Sequence, residues 1–542
     1  MLVLGIHGGQ TRETEDLGPG FGAHDAAAVL VRDDEIVAAI EEERITRLKH
    51  SNAFPVEAIH FCLRQAGVCW DEVDRVALNV SEQTLDYHAA LGALGTPGER
   101  ISTAREVLAA RFAEAFGVDV ADRLRFCHHH MAHAVSAYFA SGFERSLVVT
   151  LDGDGDGLSG MVLVADNGRL HKLKEYSDQI SLGNWYSSLI NVLGYTRFDE
   201  YKVMGLAPLG NPDRFAALFR SLYRLLPGGE YEIAPIAEHV YHLQREGLVD
   251  NTRKKGAPFN QMHKDFAAAL QATLEDIGLH IARHFQRQTA MDKLCLAGGV
   301  AHNCSMNGKI LYSGLFRKVF VQPAAHDAGS ALGAAWMVLG DEGGMVCRRP
   351  MRDLYLGSDI QGPDEIGRAL EGWRSLVDFE RLEDIEAHSA LLLAEGAVIG
   401  WVQGRSEFGP RALGNRSILA DPRPAENKDL INRMVKKREG YRPFAPSVCE
   451  ENAGEFFETL PDARLHDVFE VDRAEDDVVL GDHQWRAPCA PDRGHALGYF
   501  GGQAIAAPAP DCIVGAFADR ATVEINAAHA SARRERNEGH AV

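Results

Sequence analysis

Ser146-Leu-Val-Val-Thr-Leu-Asp152, Gly160-Met-Val-Leu-Val-Ala165 and Leu170-His-Lys-Leu-Lys-Glu175 decide the fold class. Each is a short run rich in apolar and β-branched residues, which reads as a strand. Asp166-Asn167-Gly168, between the second and third, is turn chemistry, because Asn and Gly tolerate positive φ. The same text stands near the start of the chain, over residues 2–6, 26–32 and 35–42, with Asp33-Asp34 at the turn. Helical text follows each set. A hairpin-rich α/β unit that occurs twice predicts a duplicated two-lobed fold with a cleft between the lobes. The actin/sugar-kinase class has that shape, and its cleft holds a nucleotide.

Between the hairpins, apolar residues at helical spacing predict helices over 56–66 and 103–116. A stretch without proline over 262–288 reads as one long helix or two. It runs into strand text over 293–297, and Gly298-Gly299 marks a strand-to-helix turn. The text turns irregular over 345–359, so a first domain is expected over 1–350 and a second, smaller α/β domain over 360–542, with a strand at 397–403. The last twenty or so residues read as a frayed tail.

Bulk properties narrow the function. A chain of 542 residues exceeds one core. Its 46% hydrophobic and 25% charged residues are ordinary for a soluble globular protein. No apolar run reaches the roughly 18 residues that span a bilayer, and the first residues read as a core strand rather than a leader. Nine cysteines, dispersed singly with no CxxC pair, predict reduced thiols and a cytoplasmic location. The net charge of −21 disfavours nucleic acid as partner, because phosphate neutralisation needs a basic face. Anionic substrates then need local Lys/Arg clusters. A homodimer is left open.

Chemistry concentrates in a few places. In His128-His129-His130-Met131-Ala132-His133, residues 129 and 133 stand four apart, so on a helix both imidazoles share a face and can chelate one metal ion. Solvated histidines at a polar helix start are the alternative. Asp327, between strand text and a helix rich in small residues, is the candidate third ligand. Two His and one carboxylate with open positions suit Fe(II) or another divalent transition metal. Gly298-Gly299, with Asn303 and Asn307 beyond, can admit a nucleotide with backbone amides facing its phosphate. Asp152-Gly153-Asp-Gly-Asp-Gly157 looks like a calcium loop, but position 163, where the bidentate Glu belongs, is Leu. A phosphate-facing turn between strands fits it better. Lys202 and Gly205, in Glu200-Tyr-Lys-Val-Met-Gly-Leu-Ala-Pro, complete the candidate nucleotide set. In the second domain Arg405, Arg411, Arg416, Ser417, Lys436, Arg438 and Arg442 form two basic clusters with Gly, Pro and Phe interleaved. Guanidinium forks suit phosphate, so anion binding is expected there.

Eight segments in order carry a resemblance over roughly residues 1–450: His24-Asp25-Ala-Ala-Ala; Glu41 through His50; His129 through His133; Glu200-Tyr-Lys-Val-Met-Gly-Leu-Ala-Pro; Ala297-Gly-Gly-Val-Ala-His-Asn; Asp327-Ala-Gly; Phe408-Gly-Pro-Arg-Ala-Leu-Gly-Asn-Arg-Ser; and Arg442-Pro-Phe-Ala-Pro. In these the chain resembles the O-carbamoyltransferases of antibiotic and nodulation-factor biosynthesis, the group of the tobramycin and cephamycin enzymes. The resemblance implies a first domain like the tRNA threonylcarbamoyl transferases and a second like YrdC. The second would use ATP, with Mg, and carbamoyl phosphate to make carbamoyl-adenylate. The first, with iron on its HxxxH and later Asp, would transfer the carbamoyl group to a hydroxyl of a small molecule. His24 or Asp25 is the expected base for the acceptor's proton.

Two stretches depart from the group. The Gly-rich loop over residues 7–22 is longer than is usual and reads as a lid or part of the acceptor pocket. The Asn-Thr-Ser-Phe-Asn and Gly-Glu-Pro segments that complete the YrdC-like site are missing after residue 450. A non-catalytic nucleotide-binding protein, a threonylcarbamoyl transferase acting on tRNA and a sugar kinase are the competing readings.

Overall fold

The computed structural model describes residues 1–9, 24–94, 102–343, 350–351, 353–360, 362–444, 499–500, 503–504 and 513–516. Most of the Gly-rich loop, the expected tail and nearly all of the text after residue 444 lie outside these. One compact unit spans Met1–Arg352 and a second begins at Asp353.

The first unit holds two five-stranded sheets. In one, β1 (Leu2–His7) pairs antiparallel with β2 (Ala27–Arg32), which pairs with β3 (Glu35–Glu41), while β4 (Arg75–Leu78) and β5 (Leu124–Phe126) extend the other side in parallel. In the other, β6 (Arg145–Gly155), β7 (Leu158–Asp166) and β8 (Arg169–Ser177) form the antiparallel part. A hairpin of β9 (Tyr223–Leu226) and β10 (Glu230–Ile233) intervenes, and β11 (Lys293–Ala297) and β12 (Lys318–Val321) add the parallel part. The orders β3-β2-β1-β4-β5 and β8-β7-β6-β11-β12 are the same arrangement met twice. The duplication expected from the hairpins is thus a duplication of topology.

Burial explains the strand text. Every residue of β1 is buried, because it is central in its sheet and covered on both faces. β8 is an edge and carries exposed charge at Arg169, Lys172 and Glu175, which blunts pairing with another chain. Leu4, Leu30, Ile40, Ile59 and Phe112 fill the first core, each side chain worth about 1.5–3 kcal/mol on burial.

Two helices change sides. Helix His129–Ser141 follows β5 yet lies on β6 and β11, whereas helix Asp327–Asp341 follows β12 yet lies on β1, β2 and β4. They also pack on each other, and small residues allow it. A Cβ on Gly333 would stand 1.8 Å from the Ala132 carbonyl oxygen, and one on Gly5 would stand 2.1 Å from that of Ala331. Backbone therefore touches backbone, and the N-terminal ends that carry His129, His133 and Asp327 are brought together.

Details sharpen the expectations. Helix Val56–Ala66 has the expected bounds, and the long helical stretch is one helix, Gln261–Thr289, capped by the Asn260 side chain on the His263 N–H at 3.0 Å. The Asp-Gly run is not the turn that its composition suggested. β6 continues through it to Gly155, and the chain reverses at Asp156-Gly157.

The second unit holds helices Pro363–Glu371 and Ile385–Ala394 and a small antiparallel sheet. Its middle strand β13 (Ile399–Val402) lies between β14 (Arg416–Leu419) and strand Ile513–Ala516. Among the described residues, no helix in either unit is long and apolar enough to cross a membrane.

Candidate functional site

His129, His133, Asp152 and Asp327 are all buried, and one ligand atom from each lies within 4.8 Å of the others. His133 Nε2 stands 2.9 Å from Asp152 Oδ2 and 3.3 Å from Asp327 Oδ1. His129 Nε2 stands 3.5 Å from each of the same oxygens and 3.1 Å from His133 Nε2. Sequence reading set Asp152 among the nucleotide residues, and the structure brings its carboxylate to the histidine pair. What decides its place is a pair of amides: Gly153 and Gly299 donate to Oδ1 at 2.7 and 3.0 Å, which leaves Oδ2 facing the imidazoles.

The Asp-Gly run serves this cluster residue by residue. Gly155 leaves room for His129, whose ring would lie 2.1 Å from a Cβ there. Asp156 accepts the His129 N–H at 2.7 Å, together with the Ser81 hydroxyl at 2.9 Å, and so caps the histidine helix. Gly298, with φ 89°, comes so close to β6 that a Cβ would meet the Leu151 carbonyl oxygen at 2.2 Å.

The donor set fits a divalent transition cation. His129 Nδ1–H donates to the Asn79 carbonyl at 3.2 Å, which turns the Nε2 lone pair inward. Two imidazole nitrogens and two carboxylate oxygens then converge from four side chains, an N/O set that suits Fe(II) and its neighbours. Electrostatics agree. Burial disfavours charge on both aspartates, but hydrogen bonds from His129 and His133 hold Asp152 well below the usual carboxylate range. Burial likewise pulls His129 down, yet Asp327 and Asp152 outweigh it and push it up to about 9. Two adjacent buried carboxylates thus demand positive charge between them.

Asp327 links this cluster to a second set of histidines. Its Oδ2 lies 3.4 Å from His7 Nε2 and 3.9 Å from His24 Nε2. His24 Nδ1–H donates to Asp25 Oδ2 at 2.8 Å. Burial pulls the His24 imidazole down, but the Asp25 hydrogen bond and the charge of Asp327 push it up to about 9. His7 ends the buried β1, and sequence reading met it only as the first residue of the Gly-rich loop. His50, which closes the Glu41–His50 segment of the resemblance without a role assigned to it, donates its Nδ1–H to Asp25 Oδ1 at 2.8 Å.

The nucleotide candidates have traceable neighbours. Asn303 caps helix Cys304–Tyr312 by accepting from the Met306 N–H at 2.9 Å, and it exchanges hydrogen bonds with Gln271. Asn307 donates to the Ala301 carbonyl at 2.7 Å, and its buried Oδ1 has no hydrogen-bond partner among the described residues. Cys304 Sγ lies 3.7 Å from Met204 Sδ, so helix Glu200–Leu206, which carries Lys202 and Gly205, sits beside this turn. Lys202 pairs with Asp199 at 2.5 Å.

In the second unit, Arg416 donates to the carbonyls of Gln403, Asn415, Ser358 and Gly404 at 2.7–3.0 Å. Arg405 donates to those of Gly357 and Leu356. Glu407 accepts the Leu413 and Asn415 N–H groups, and Ser417 accepts that of Gly414, so the Phe408–Ser417 loop is internally tied. Arg411 and Lys436 are exposed. Arg438 donates to Asn432 and the Pro443 carbonyl, while Arg442 is buried beside Glu439.

Family models described as the carbamoyltransferase N-terminus and C-terminus match residues 19–336 and 390–481. Nodulation protein NolNO of Sinorhizobium fredii is 48% identical over 475 residues, 86% of this chain and 68% of its own length. Nodulation protein NolO of Bradyrhizobium diazoefficiens is 55% identical over 339 residues, 62% of this chain and 60% of its own. The 3'-hydroxymethylcephem-O-carbamoyltransferase of Streptomyces clavuligerus is 28% identical, covering 80% and 78%.

Proposed function

The chain belongs to the carbamoyltransferase family and is an O-carbamoyltransferase; from that premise we propose that it draws on ATP and carbamoyl phosphate and transfers through carbamoyl-adenylate to a hydroxyl of a small molecule. Carbamate is a poor electrophile, and adenylation gives it a good leaving group. We assign activation to the second, YrdC-like unit. There the carbamate oxygen, freed of its phosphoryl group by water, attacks the α-phosphorus of ATP and expels pyrophosphate. Arg411, Lys436 and Arg438 are the cations assigned to gather these anions. Transfer belongs to the first unit, which resembles the threonylcarbamoyl transferases. The observation that carries the reading is the four-ligand cluster with His24 beside it, 3.9 Å from Asp327.

His129, His133, Asp327 and Asp152 would hold a divalent cation such as Fe(II). When bound, it would steady the charge that develops on the adenylate phosphate. The chain's own groups do the rest. With the charge of Asp327 offset by a bound cation, the hold that keeps His24 protonated weakens, and its Nε2 takes the proton of the acceptor hydroxyl as the oxygen attacks the carbamoyl carbon and AMP leaves. Asp25, whose oxygens accept from two imidazoles, holds His24 rather than taking the proton itself. The turn after Gly298 and Gly299, with Asn307 Oδ1 still to be paired, faces the nucleotide together with the Lys202 segment.

Incubation with ATP and carbamoyl phosphate tests the reading. AMP and pyrophosphate are the expected products, and ADP as the main nucleotide product would move the protein to the kinase class. Arg411→Ala should cut pyrophosphate release about ten- to a hundred-fold, the loss of one charge-assisted contact of about 1.5–3 kcal/mol, and leave transfer from synthetic carbamoyl-adenylate intact.

A further inference from the structure

Three non-glycine residues whose φ lies in the left-handed region meet at one place: Asp25 (57°), His50 (53°) and Phe198 (71°). For a phenylalanine this backbone is rare, and such strain persists where the surroundings impose it, often at functional sites. The three come from separate segments, before β2, after β3 and before helix Glu200–Leu206. They are tied by side chains. The His50 ring lies flat on Phe198, with centroids 4.1 Å apart and an interplanar angle of 11°. Phe198 meets His24 edge-on at 4.9 Å and 75°. The His50 N–H donates to Glu43 at 2.9 Å, which fixes its backbone to the preceding helix.

We infer that His50 and Phe198 are positioning residues for the transfer step, clamping the His24–Asp25 pair so that His24 Nε2 faces Asp327. The inference rests on the proposed role of His24 as base. His50 does not touch the metal cluster. It acts through Asp25: Asp25 Oδ1 accepts from His50 and Oδ2 from His24, each at 2.8 Å, so the carboxylate cannot rotate without losing one of them. Phe198 supplies the wall against which both imidazoles pack. Asp25, Glu43 and His50 are also close enough together to suggest a second cation site. The hydrogen bonds favour the clamp, because both oxygens of Asp25 and the Oε2 of Glu43 already take N–H donors from His24 and His50.

The test uses the full chain loaded with its metal, synthetic carbamoyl-adenylate as the donor and water as the hydroxyl, with AMP release as the readout. His50→Ala should lower kcat about ten- to a hundred-fold, as loss of an outer hydrogen-bond partner does. KM for carbamoyl-adenylate and metal content should stay as in the wild type. His50→Asn, which returns an N–H toward Asp25, should recover most of the rate, and Phe198→Leu should lower kcat less than His50→Ala. Unchanged kcat in His50→Ala, a rise in KM alone, no recovery in His50→Asn, or a second equivalent of metal lost from His50→Ala each overturns the inference. If wild type turns over and His50→Ala matches it, the inference alone falls; if wild type releases no AMP, the proposed reaction falls and takes the inference with it.

Discussion

Polar side chains crowd together in both units, but they find different partners. In the first unit they meet one another: His129 and His133 face Asp152 and Asp327, and His24 and His50 share Asp25. In the second unit two arginines meet backbone, since Arg416 reaches four carbonyls and Arg405 two. A guanidinium that reaches several carbonyls shapes a loop, because it ties separate backbone segments to one another. An imidazole held by other ionisable groups stays available to a ligand. Density of functional residue types therefore marks two kinds of place, and only the partners tell them apart.

The sharpest way to break this contrast is His133→Ala. It should empty the metal cluster and lower transfer by more than a hundred-fold or so, beyond the 10–100-fold typical of losing an outer partner. Equal metal content in variant and wild type would erase the distinction. Arg416→Ala should act on stability instead. Hydrogen bonds to a charged group are worth about 1.5–3 kcal/mol, so unfolding of the second unit should cost about 3 kcal/mol less, read from a denaturant midpoint, with metal content unchanged. A normal midpoint with lost pyrophosphate release would make Arg416 a ligand residue after all.

Smaller effects sharpen the first half of the comparison. Gly155→Ala puts a methyl group into the His129 ring and should weaken metal affinity about 10–100-fold, measured by competition with a chelator. Affinity like that of the wild type would mean that the ring has another resting place. Asp156→Ala removes the cap on the histidine helix and should cost about 0.5–2 kcal/mol of stability at unchanged metal stoichiometry. Metal loss without a fall in melting temperature would show that the cap serves the site rather than the helix.

How much of this was legible depends on the range of each contact. The i, i+4 spacing of His129 and His133 is local, so sequence suffices to put both on one helical face, and Asp327 stood out as a carboxylate opening a run of small residues. The duplicated sheets were legible because both hairpins are local too. Asp152 was not read as a neighbour of the histidines because its carboxylate is aimed by the Gly299 amide, which depends on β6 pairing with β11 across the sheet. His7 and His50 stood inside segments that were noticed but were given no role, and Phe198 gave no signal, since each acts on residues that only the tertiary fold delivers. Spacing likewise cannot say whether an arginine fork faces a carbonyl or open solvent.

The exchange of helices between the two sheets sets an order of events at the ribosome. β1 leaves first, but the helix that covers it at Gly5 contributes Ala331, some three hundred residues later. At about 5–20 residues per second, the first sheet waits roughly 15–65 s for its cover. During that interval an apolar face stays open to wrong partners. Production of this protein should therefore gain from slower crowding of nascent chains, through cooler growth or more chaperone, before any single residue is changed.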